Sequence, residues 1–497
     1  MTLKNTSEKS QYYKLEEVFR SYYFLKRTLS LLSWDAAVMM PPGSEKIRSE
    51  QLSIQTMVMN KTLTNSKTEK LFEKAEQDFP KLTPWQQANF REMGLLLKLK
   101  RAIPPRLEGE IASKRVLCEK AWGAARKKND YKLFESSFSP LLKLIRQKGD
   151  LLGEAFGVSS YEGLIQEYDP GGTDKDISDL FKTLSLTLPS LIFKIKAKQE
   201  KHVQFSKSFP PLSIGQQVEL SRKMLLDFGF NFNIGRFDQS AHPFTEGSMD
   251  DIRITTHFKS KDPLSGLLGA IHECGHALYD TNLPRQWIDQ PVGQERGMSV
   301  HEGIALYFEM ILARSKGFAY YLSEQIGLLG ISVNIDDLYF QLLKINPYAN
   351  RIDADEASYI LHIILRYEIE SMLIKGDLKV QDIPEYWEHK TKDFFGYAPA
   401  RLADGCLQDI HWAVGLFGYF PSYGKGLIFA INLFYRLGEF KDFFEYPGKL
   451  KRLKEEVFNQ GAFLKNREIL NSPEFSKDPA KMVISYLSQK YLNFPAV

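Results

Sequence analysis

Two histidines four residues apart, with a glutamate beside the first, form the most informative chemical pattern in this sequence. His272, Glu273 and His276 lie within residues 270–279, which read AIHECGHALY. Residues four apart share one face of a helix, so the two imidazoles can bind one metal ion. Glu273 is then placed to take a proton from a water molecule held by that ion. The pattern predicts metal-assisted hydrolysis.

The residues around this pattern predict the helix that it requires. Leu267, Leu268, Ile271, Cys274 and Leu278 recur at steps of three and four residues, which is the spacing of one apolar helix face. The histidines fall at the edge of that face, where they can line a cleft. The alternative is a chance match on a helix of the protein core.

A catalytic zinc ion needs a third protein ligand and leaves its fourth position to water. Eight of the 9 histidines lie between positions 242 and 411, and residues 299–307 (SVHEGIALY) form a second helical pattern in that region. Glu302 follows His276 by 26 residues, enough for a connecting loop and a returning helix. His301 is equally possible on spacing, so both candidates stay open at this point.

Composition excludes several other kinds of protein. The 65 basic and 61 acidic residues leave a net charge of only +4, which gives no electrostatic case for nucleic acid binding. No apolar run reaches the length of about 18 residues that a membrane span needs, and residues 1–9 lack the apolar core of a secretory signal. Three cysteines (Cys118, Cys274 and Cys406) cannot form a disulfide framework. We therefore expect a cytoplasmic protein.

The elements that must position the candidate residues are mostly helical. Helical spacing runs through residues 10–30, 45–80, 84–101 and 106–128. Strand character is short and lies chiefly at residues 251–258, just before the metal helix. We predict an edge strand there, whose backbone could pair with an extended peptide. No linker clearly divides the chain, so we expect a single unit over residues 1–497, with an N-terminal helical part (about 1–240) and a metal-binding part (about 241–497).

Further segments are typical of a known family: 33–35 (SWD) with 40–43 (MPPG), 242–244 (HPF) with 253–256 (RITT), 301–302 (HE), 351–356 (RIDADE), 405–412 (GCLQDIHW) and 484–487 (ISYL). Together with the histidine motif, they resemble the carboxypeptidase Taq family of zinc-dependent metallocarboxypeptidases. The resemblance spans nearly the whole chain. It implies a mainly α fold with a deep substrate groove, one wall formed by the N-terminal part, and a small β-sheet beside the metal helix.

The resemblance also implies a ligand set and a reaction. The metal ligands become His272, His276 and Glu302, which favours Glu302 over His301. The implied cofactor is Zn²⁺, with Co²⁺ as a possible substitute, and the implied activity is release of C-terminal amino acids from peptides. Glu273 is then the general base. The family further implies a homodimer.

The tetrahedral oxyanion of peptide hydrolysis needs donors beyond the metal. Position in the family motifs makes His411, Tyr419 and Tyr423 the candidates, with Tyr419 also a candidate for binding substrate. We favour Tyr423, because its gap of twelve residues from His411 resembles that in thimet-type oligopeptidases. Trp412 is expected in the core, since large aromatic side chains usually pack.

A carboxypeptidase must bind a free C-terminal carboxylate, for which arginine is the usual bidentate partner. Arg351 is the candidate, and the alternative is an ordinary helix-start pair with Asp355. Asp355 and Asp409 are also candidates to orient ligand histidines. His242 is a candidate substrate contact or a structural histidine. His257 stands where the family usually has arginine, so any contact it makes with substrate is weaker or depends on pH.

Two other functions remain open from the sequence. One is an oligopeptidase that cuts inside short peptides, and the other is a non-catalytic peptide-binding scaffold with structural zinc. A structural zinc site normally closes its fourth position with cysteine or histidine and needs no base. The presence of Glu273 beside both histidines therefore favours a catalyst.

Overall fold

The computed structural model describes residues 10–201, 209–348, 350–465, 468–469 and 478–493. Residues 1–9, on which the prediction about a secretory signal depends, lie outside the described residues. Helices dominate, which confirms the mainly α fold class. In chain order the α-helices are α1 (Gln11–Val38), α2 (Glu45–Thr64), α3 (Ser66–Ala75), α4 (Pro84–Ala102), α5 (Pro105–Lys128), α6 (Tyr131–Phe156), α7 (Ser160–Ile165), α8 (Asp174–Glu200), α9 (Ile214–Asp227), α10 (Pro263–Thr281), α11 (Met298–Leu306), α12 (Lys316–Leu328), α13 (Ile335–Leu343), α14 (Glu356–Lys375), α15 (Ile383–Phe395), α16 (Phe420–Leu437), α17 (Tyr446–Glu456) and α18 (Pro479–Leu492).

The predicted N-terminal helices are present, but one of them is divided. Helical spacing predicts one stretch through residues 45–80, whereas α2 ends at Thr64 and α3 begins at Ser66. Asn65 between them has an extended backbone, and its side chain accepts a hydrogen bond from the Thr68 amide. Asparagine favours this capping position because its short side chain can satisfy a free amide. Capping chemistry therefore divides a stretch whose hydrophobic pattern continues.

The described residues cluster into two compact units. Unit 1 comprises described residues within Met1–Arg101, Leu212–Arg296 and Tyr446–Lys465. Unit 2 comprises described residues within Ala102–Pro211, Gly297–Glu445 and Asn466–Val497. We predicted one peptidase unit over residues 1–497, with an N-terminal part and a metal-binding part that meet near residue 240. That stays a prediction, because clusters of contacts do not show which parts of the chain fold and function together.

Unit 1 contains a three-stranded sheet made of β1 (Gly235–Gln239), β2 (Phe244–Ser248) and β3 (Asp251–Thr256). Its order is β1-β3-β2, with β3 parallel to β1 and antiparallel to β2. The prediction of an edge strand at residues 251–258 is wrong, because β3 is central and its backbone pairs on both sides. β1 and β2 are short and largely polar, so apolar alternation does not reveal them in the sequence.

α10 packs closely on β3, which confirms the predicted small sheet beside the metal helix. Two glycines permit the approach. A Cβ at Gly266 would lie 2.7 Å from the Phe258 ring, and one at Gly269 would lie 3.1 Å from Thr256 Oγ1. Thr256 Oγ1 also donates a hydrogen bond to the Gly266 carbonyl oxygen at 3.0 Å. The sheet thereby fixes the position and direction of α10.

α14 runs through the core of unit 2, and every residue from 356 to 367 is buried. Its first residue, Glu356, accepts hydrogen bonds from Tyr486, Lys490 and Tyr491 of α18 at distances of 2.6 to 2.8 Å. An unexposed carboxylate of this kind is tolerable only when its lone pairs are satisfied. The C-terminal helix therefore anchors the start of α14.

The three cysteines, Cys118, Cys274 and Cys406, are buried and unbridged, in line with the absence of a disulfide framework predicted from their number. Burial raises the pKa of the Cys118 and Cys406 thiols to about 12. They therefore remain protonated at neutral pH. Within the described ranges, no helix has both the length and the apolar character needed to cross a bilayer.

Candidate active site

α10 presents His272 and His276 one turn apart. The Asp262 side chain caps the helix by accepting a hydrogen bond from the Ser265 amide, and Pro263 occupies the first helical position. The two imidazole centroids are 4.9 Å apart, with ring planes at 79°. The predicted apolar face is buried along its length, so the helix is fixed and the histidines lie at the edge of that face.

Glu273 is 5 % exposed and lies between the histidines in sequence. Thr245 Oγ1 donates a 2.6 Å hydrogen bond to Glu273 Oε2. Thr245 belongs to β2, so the sheet that supports α10 also restrains this carboxylate. A carboxylate is an acceptor-only group when ionised, so its charged form can take up a proton.

Glu302 lies in α11, as the sequence predicts, and is 6 % exposed. α11 crosses α16 at two glycines: a Cβ at Gly303 would lie 2.9 Å from the Gly426 carbonyl oxygen and 2.6 Å from the Phe429 ring. Any larger residue at position 303 would push the helices apart. The glycine that follows Glu302 therefore sets the depth of its carboxylate against α16.

The candidate ligand atoms of His272, His276 and Glu302 all lie within 4.8 Å of one another. Two imidazole nitrogens and one carboxylate oxygen form a donor set that zinc accepts in catalytic sites, with a fourth position left for another ligand. The donor set and its spacing therefore fit one divalent cation.

Unit 2 contains an ion-pair cluster centred on Asp409. Arg351 Nε donates to Asp409 Oδ1 at 2.8 Å, and Arg366 Nε donates to Asp409 Oδ2 at 2.6 Å. Burial would raise the pKa of Asp409, but the two guanidinium groups hold it well below its usual range. Burial lowers the pKa of Arg366 to about 10, so it stays charged at neutral pH. Two cations therefore face one carboxylate, which leaves this region with an excess of positive charge.

His411 lies beside that cluster, with Nδ1 3.9 Å from Asp409 Oδ1. Burial, and then the positive charge of Arg351, lower the pKa of His411 to about 3. The imidazole is therefore neutral over the ordinary pH range. A neutral imidazole carries one N–H donor, which suits a group that stabilises a developing negative charge.

Tyr419 and Tyr423 form a contacting pair, with ring centroids 5.0 Å apart and ring planes at 84°. The Arg351 guanidinium lies 5.3 Å from the Tyr423 ring centroid. Burial raises the pKa of Tyr423 to about 12, with Arg351 opposing the rise, and burial raises the pKa of Tyr419 well above its usual value. The guanidinium beside Tyr423 therefore favours its hydroxyl as a donor to an anion.

Asp355 acts as the N-cap of α14. Its carboxylate accepts hydrogen bonds from the amides of Ala357, Ser358 and Asn346 at 2.8 to 3.0 Å. The charged contact of Arg351 is with Asp409, so the helix-start pair between Arg351 and Asp355 that we considered is not the arrangement observed. These contacts give Asp355 a structural role at the helix start.

His242 and His257 are exposed at the same end of the sheet of unit 1. His257 Nδ1 lies 3.1 Å from the Ser240 carbonyl oxygen, to which it can donate a hydrogen bond. The Ser240 hydroxyl in turn donates to the His242 carbonyl oxygen at 2.5 Å. Ser240 thus links the backbone at His242 with the ring of His257.

Four residues that contact or adjoin the candidate site residues were not predicted from the sequence motifs. They are Thr245, Tyr359, Arg366 and Glu370. The last three share a face of α14 with His362, at steps of three or four residues. A row of polar residues in an otherwise apolar helical stretch is the signal that could have found them. Trp412 is buried, as predicted.

Comparison with known proteins agrees with this geometry. The family described as carboxypeptidase Taq (M32) metallopeptidase matches residues 14–491. Carboxypeptidase 1 of Bacillus subtilis is 30% identical, over 98% of this chain and 99% of that protein. Thermostable carboxypeptidase 1 of Thermus thermophilus is 29% identical, over 97% of this chain and 98% of that protein. The structure of metallocarboxypeptidase 1 of Trypanosoma cruzi matches with a TM-score of 0.92 and 32% identity, over 97% of this chain and 99% of that one.

The chain belongs to the carboxypeptidase Taq family of metallopeptidases. It is a metallocarboxypeptidase, a peptide hydrolase that releases C-terminal amino acids. The family assignment predicted from the motifs is confirmed, and it favours an exopeptidase over the oligopeptidase and scaffold alternatives.

Proposed function

We propose that His272, His276 and Glu302 bind one divalent cation, zinc in the native enzyme, and that Glu273 is the general base of peptide hydrolysis. The observation that carries the proposal is the convergence of three ligand atoms within 4.8 Å. The buried carboxylate of Glu273 lies on α10, the helix that carries the two histidines. When bound, zinc lowers the pKa of a water ligand to about 7 and polarises a carbonyl group. Cobalt, with similar ligand preferences, is the expected substitute.

Glu273 accepts the proton of the attacking water and passes it to the leaving amine. The hydrogen bond from Thr245 supports this role, because it restrains the orientation of the carboxylate. A base works at its best when its orientation is fixed before the reaction.

His411 and Tyr423 donate hydrogen bonds to the oxyanion, and Tyr419 supports Tyr423 and contacts the substrate. The low pKa of His411 keeps it neutral, and the Arg351 guanidinium beside the Tyr423 ring favours Tyr423 over Tyr419 as the donor. Asp409 holds the adjacent arginines.

Arg351 binds the C-terminal carboxylate of the peptide. The excess positive charge around Asp409 supports this assignment, since a buried region with two guanidinium groups and one carboxylate favours a second anion. His242 and His257 are proposed as weaker substrate contacts on the sheet of unit 1.

Two further proposals concern the setting of the enzyme. A cytoplasmic location is compatible with three buried, unbridged cysteines. The homodimer rests on family resemblance alone, and light scattering of the purified protein tests it directly.

Removal and return of metal tests the central proposal. The chelated enzyme should release no C-terminal residues from peptides, as followed by mass spectrometry, and zinc or cobalt should restore release. His272→Ala should lose the metal, whereas His389→Ala, which removes an exposed histidine of α15, should retain it. Full metal occupancy in His272→Ala would overturn the ligand assignment.

A further inference from the structure

Glu370 holds both ends of the segment 412–418, which connects His411 to Tyr419. Trp412 Nε1 donates to Glu370 Oε1 at 3.0 Å, and the Gly418 amide donates to Glu370 Oε2 at 3.0 Å. Glu370 is unexposed and belongs to the core helix α14. One carboxyl group therefore ties the residue after His411 and the residue before Tyr419 to the same helix turn.

The segment also has internal contacts that fix its shape. The Leu416 amide donates to the His411 carbonyl oxygen at 2.9 Å, and the Gly415 amide donates to the Trp412 carbonyl oxygen at 3.1 Å. Gly418 has a φ of 78°, and a Cβ there would lie 2.8 Å from the backbone of Leu164 and Ile165. The internal hydrogen bonds make the segment a compact turn, but they do not fix its position relative to α14. The two bonds to Glu370 do.

We propose that Glu370 is a positioning residue for the reaction, which sets where His411 and Tyr419 stand by fixing both ends of the segment between them. This inference rests on the proposed function of His411 and the two tyrosines. Glu370 itself touches none of the reacting atoms. Arg366, one turn earlier on α14, holds Asp409 in the same way, so two neighbouring turns of one buried helix secure the stretch from residue 409 to residue 418.

The chemistry of the two bonds requires a carboxyl group. Both partners from the segment are N–H donors, so both side-chain oxygens of residue 370 must accept. A glutamine presents an NH₂ group at one of the two places, and whichever way it turns, it faces Trp412 or Gly418 donor to donor. A protonated carboxyl avoids this conflict, because its O–H can turn toward the Tyr161 hydroxyl, which lies 3.0 Å from Oε2, while both oxygens keep a lone pair.

The cost of burying this group supports a positional role. Burial raises the pKa of Glu370 to about 8, and a well-packed apolar residue would avoid that penalty. What an apolar residue cannot do is bind two N–H groups at opposite ends of one turn.

A matched pair of variants tests the proposal. Trp412→Phe and Tyr161→Phe each remove one hydrogen-bond partner of Glu370 and keep an aromatic ring, but only Trp412 belongs to the segment. For Trp412→Phe we expect kcat on a free peptide to fall by about tenfold or more, with KM changed by less than about twofold. For Tyr161→Phe we expect both constants to stay within about twofold of the wild type. Glu370→Gln should resemble Trp412→Phe.

The outcomes separate this proposal from the proposed function. If the wild-type enzyme needs no metal for peptide hydrolysis, the proposed function fails first. If the wild type is metal-dependent but Trp412→Phe and Glu370→Gln keep full kcat with full metal content, only the positioning role is overturned. An equal loss of kcat in Tyr161→Phe would also overturn it, because that result indicates a general effect on the core.

A measurement on the wild-type protein covers the case in which the variants do not fold. Hydrogen exchange should protect the Gly418 amide as strongly as the core amides of α14. Exchange of that amide at the rate of an unstructured peptide would contradict the proposal.

Discussion

The α10 region draws His272, Glu273 and His276 from five consecutive residues of one helix, whereas the α14 region gathers its polar groups from segments far apart in sequence. In the α10 region, helix periodicity brings the side chains together, and a hydrogen bond from Thr245 restrains Glu273. In the α14 region, Arg366 donates to Asp409, and Glu370 accepts hydrogen bonds from Trp412 and Gly418.

The two regions therefore respond differently to substitution. A substitution in the α10 region removes one chemical group and leaves the helix intact. A substitution in the α14 region leaves buried donors or charges without their partners, which costs more than the lost contact and moves the neighbours. We therefore expect the variants below to separate direct losses of chemistry from losses of position.

Glu273→Gln should give the largest loss. The amide keeps the size of the side chain but cannot accept the proton, so kcat should fall by about 10² to 10⁴ while metal content stays at the wild-type level. Thr245→Val, which removes only the hydrogen bond from the hydroxyl to the carboxylate, should cost about tenfold or less. Steady-state kinetics and metal analysis of both variants check this. Normal turnover in a metal-loaded Glu273→Gln enzyme would remove Glu273 from the mechanism.

Tyr423→Phe should be the next largest. Loss of one oxyanion donor typically costs about 10² to 10³ in kcat, and the Arg351 guanidinium lies 5.3 Å from the Tyr423 ring centroid, where it favours a donor to an anion. Tyr419→Phe, which keeps that donor, should cost less. The ratio of the two kcat values decides between the tyrosines, and a larger loss in Tyr419→Phe would reverse our assignment.

Arg351→Met should act mainly on peptides with a free C-terminus. Breaking a desolvated pair between arginine and carboxylate costs about 2 to 5 kcal/mol, so kcat/KM should fall by more than about tenfold. Peptides with an amidated C-terminus should already be poor substrates and should lose little more. His257→Ala provides the comparison, because His257 is exposed and its ring contacts the Ser240 carbonyl. A selective loss on free peptides in His257→Ala alone would move the anchor to the sheet of unit 1.

The smallest effect concerns stability and pH. The pKa of Glu370 rises from 4.5 to about 8 on folding because the group is buried, so the folded chain holds this proton more tightly than the unfolded chain. The stabilisation of the folded state by this bound proton is therefore complete below pH 4.5 and is lost as pH rises through about 8. Between pH 5 and pH 9, the apparent Tm of the wild type should fall relative to that of Glu370→Gln. Parallel thermal melting curves across this range would show that Glu370 does not titrate as described.

Local pattern was sufficient for the parts of the enzyme that lie within one element. The helix carrying His272 and His276, the helix carrying Glu302 and the mainly α fold are all present as predicted, because each follows from residue spacing of three or four. The choice of Glu302 over His301 came from family resemblance, since residues adjacent on a helix are equally plausible by spacing. The divided helix at Asn65 and the central position of β3 were missed, because a single capping residue and two short polar strands leave little hydrophobic pattern.

Residue type and spacing identify the side chains that could do chemistry, but most of them are held by contacts that form only in the folded protein. Helix periodicity fixes neighbours within one turn, so His272, Glu273 and His276 could be read directly. Nothing in the local spacing of Asp409 indicates that its partners are Arg351 and Arg366, or that Glu370 binds both Trp412 and Gly418. Those contacts form only when distant segments are packed together out of water, where an unsatisfied polar group is costly and each buried charge must find its partner.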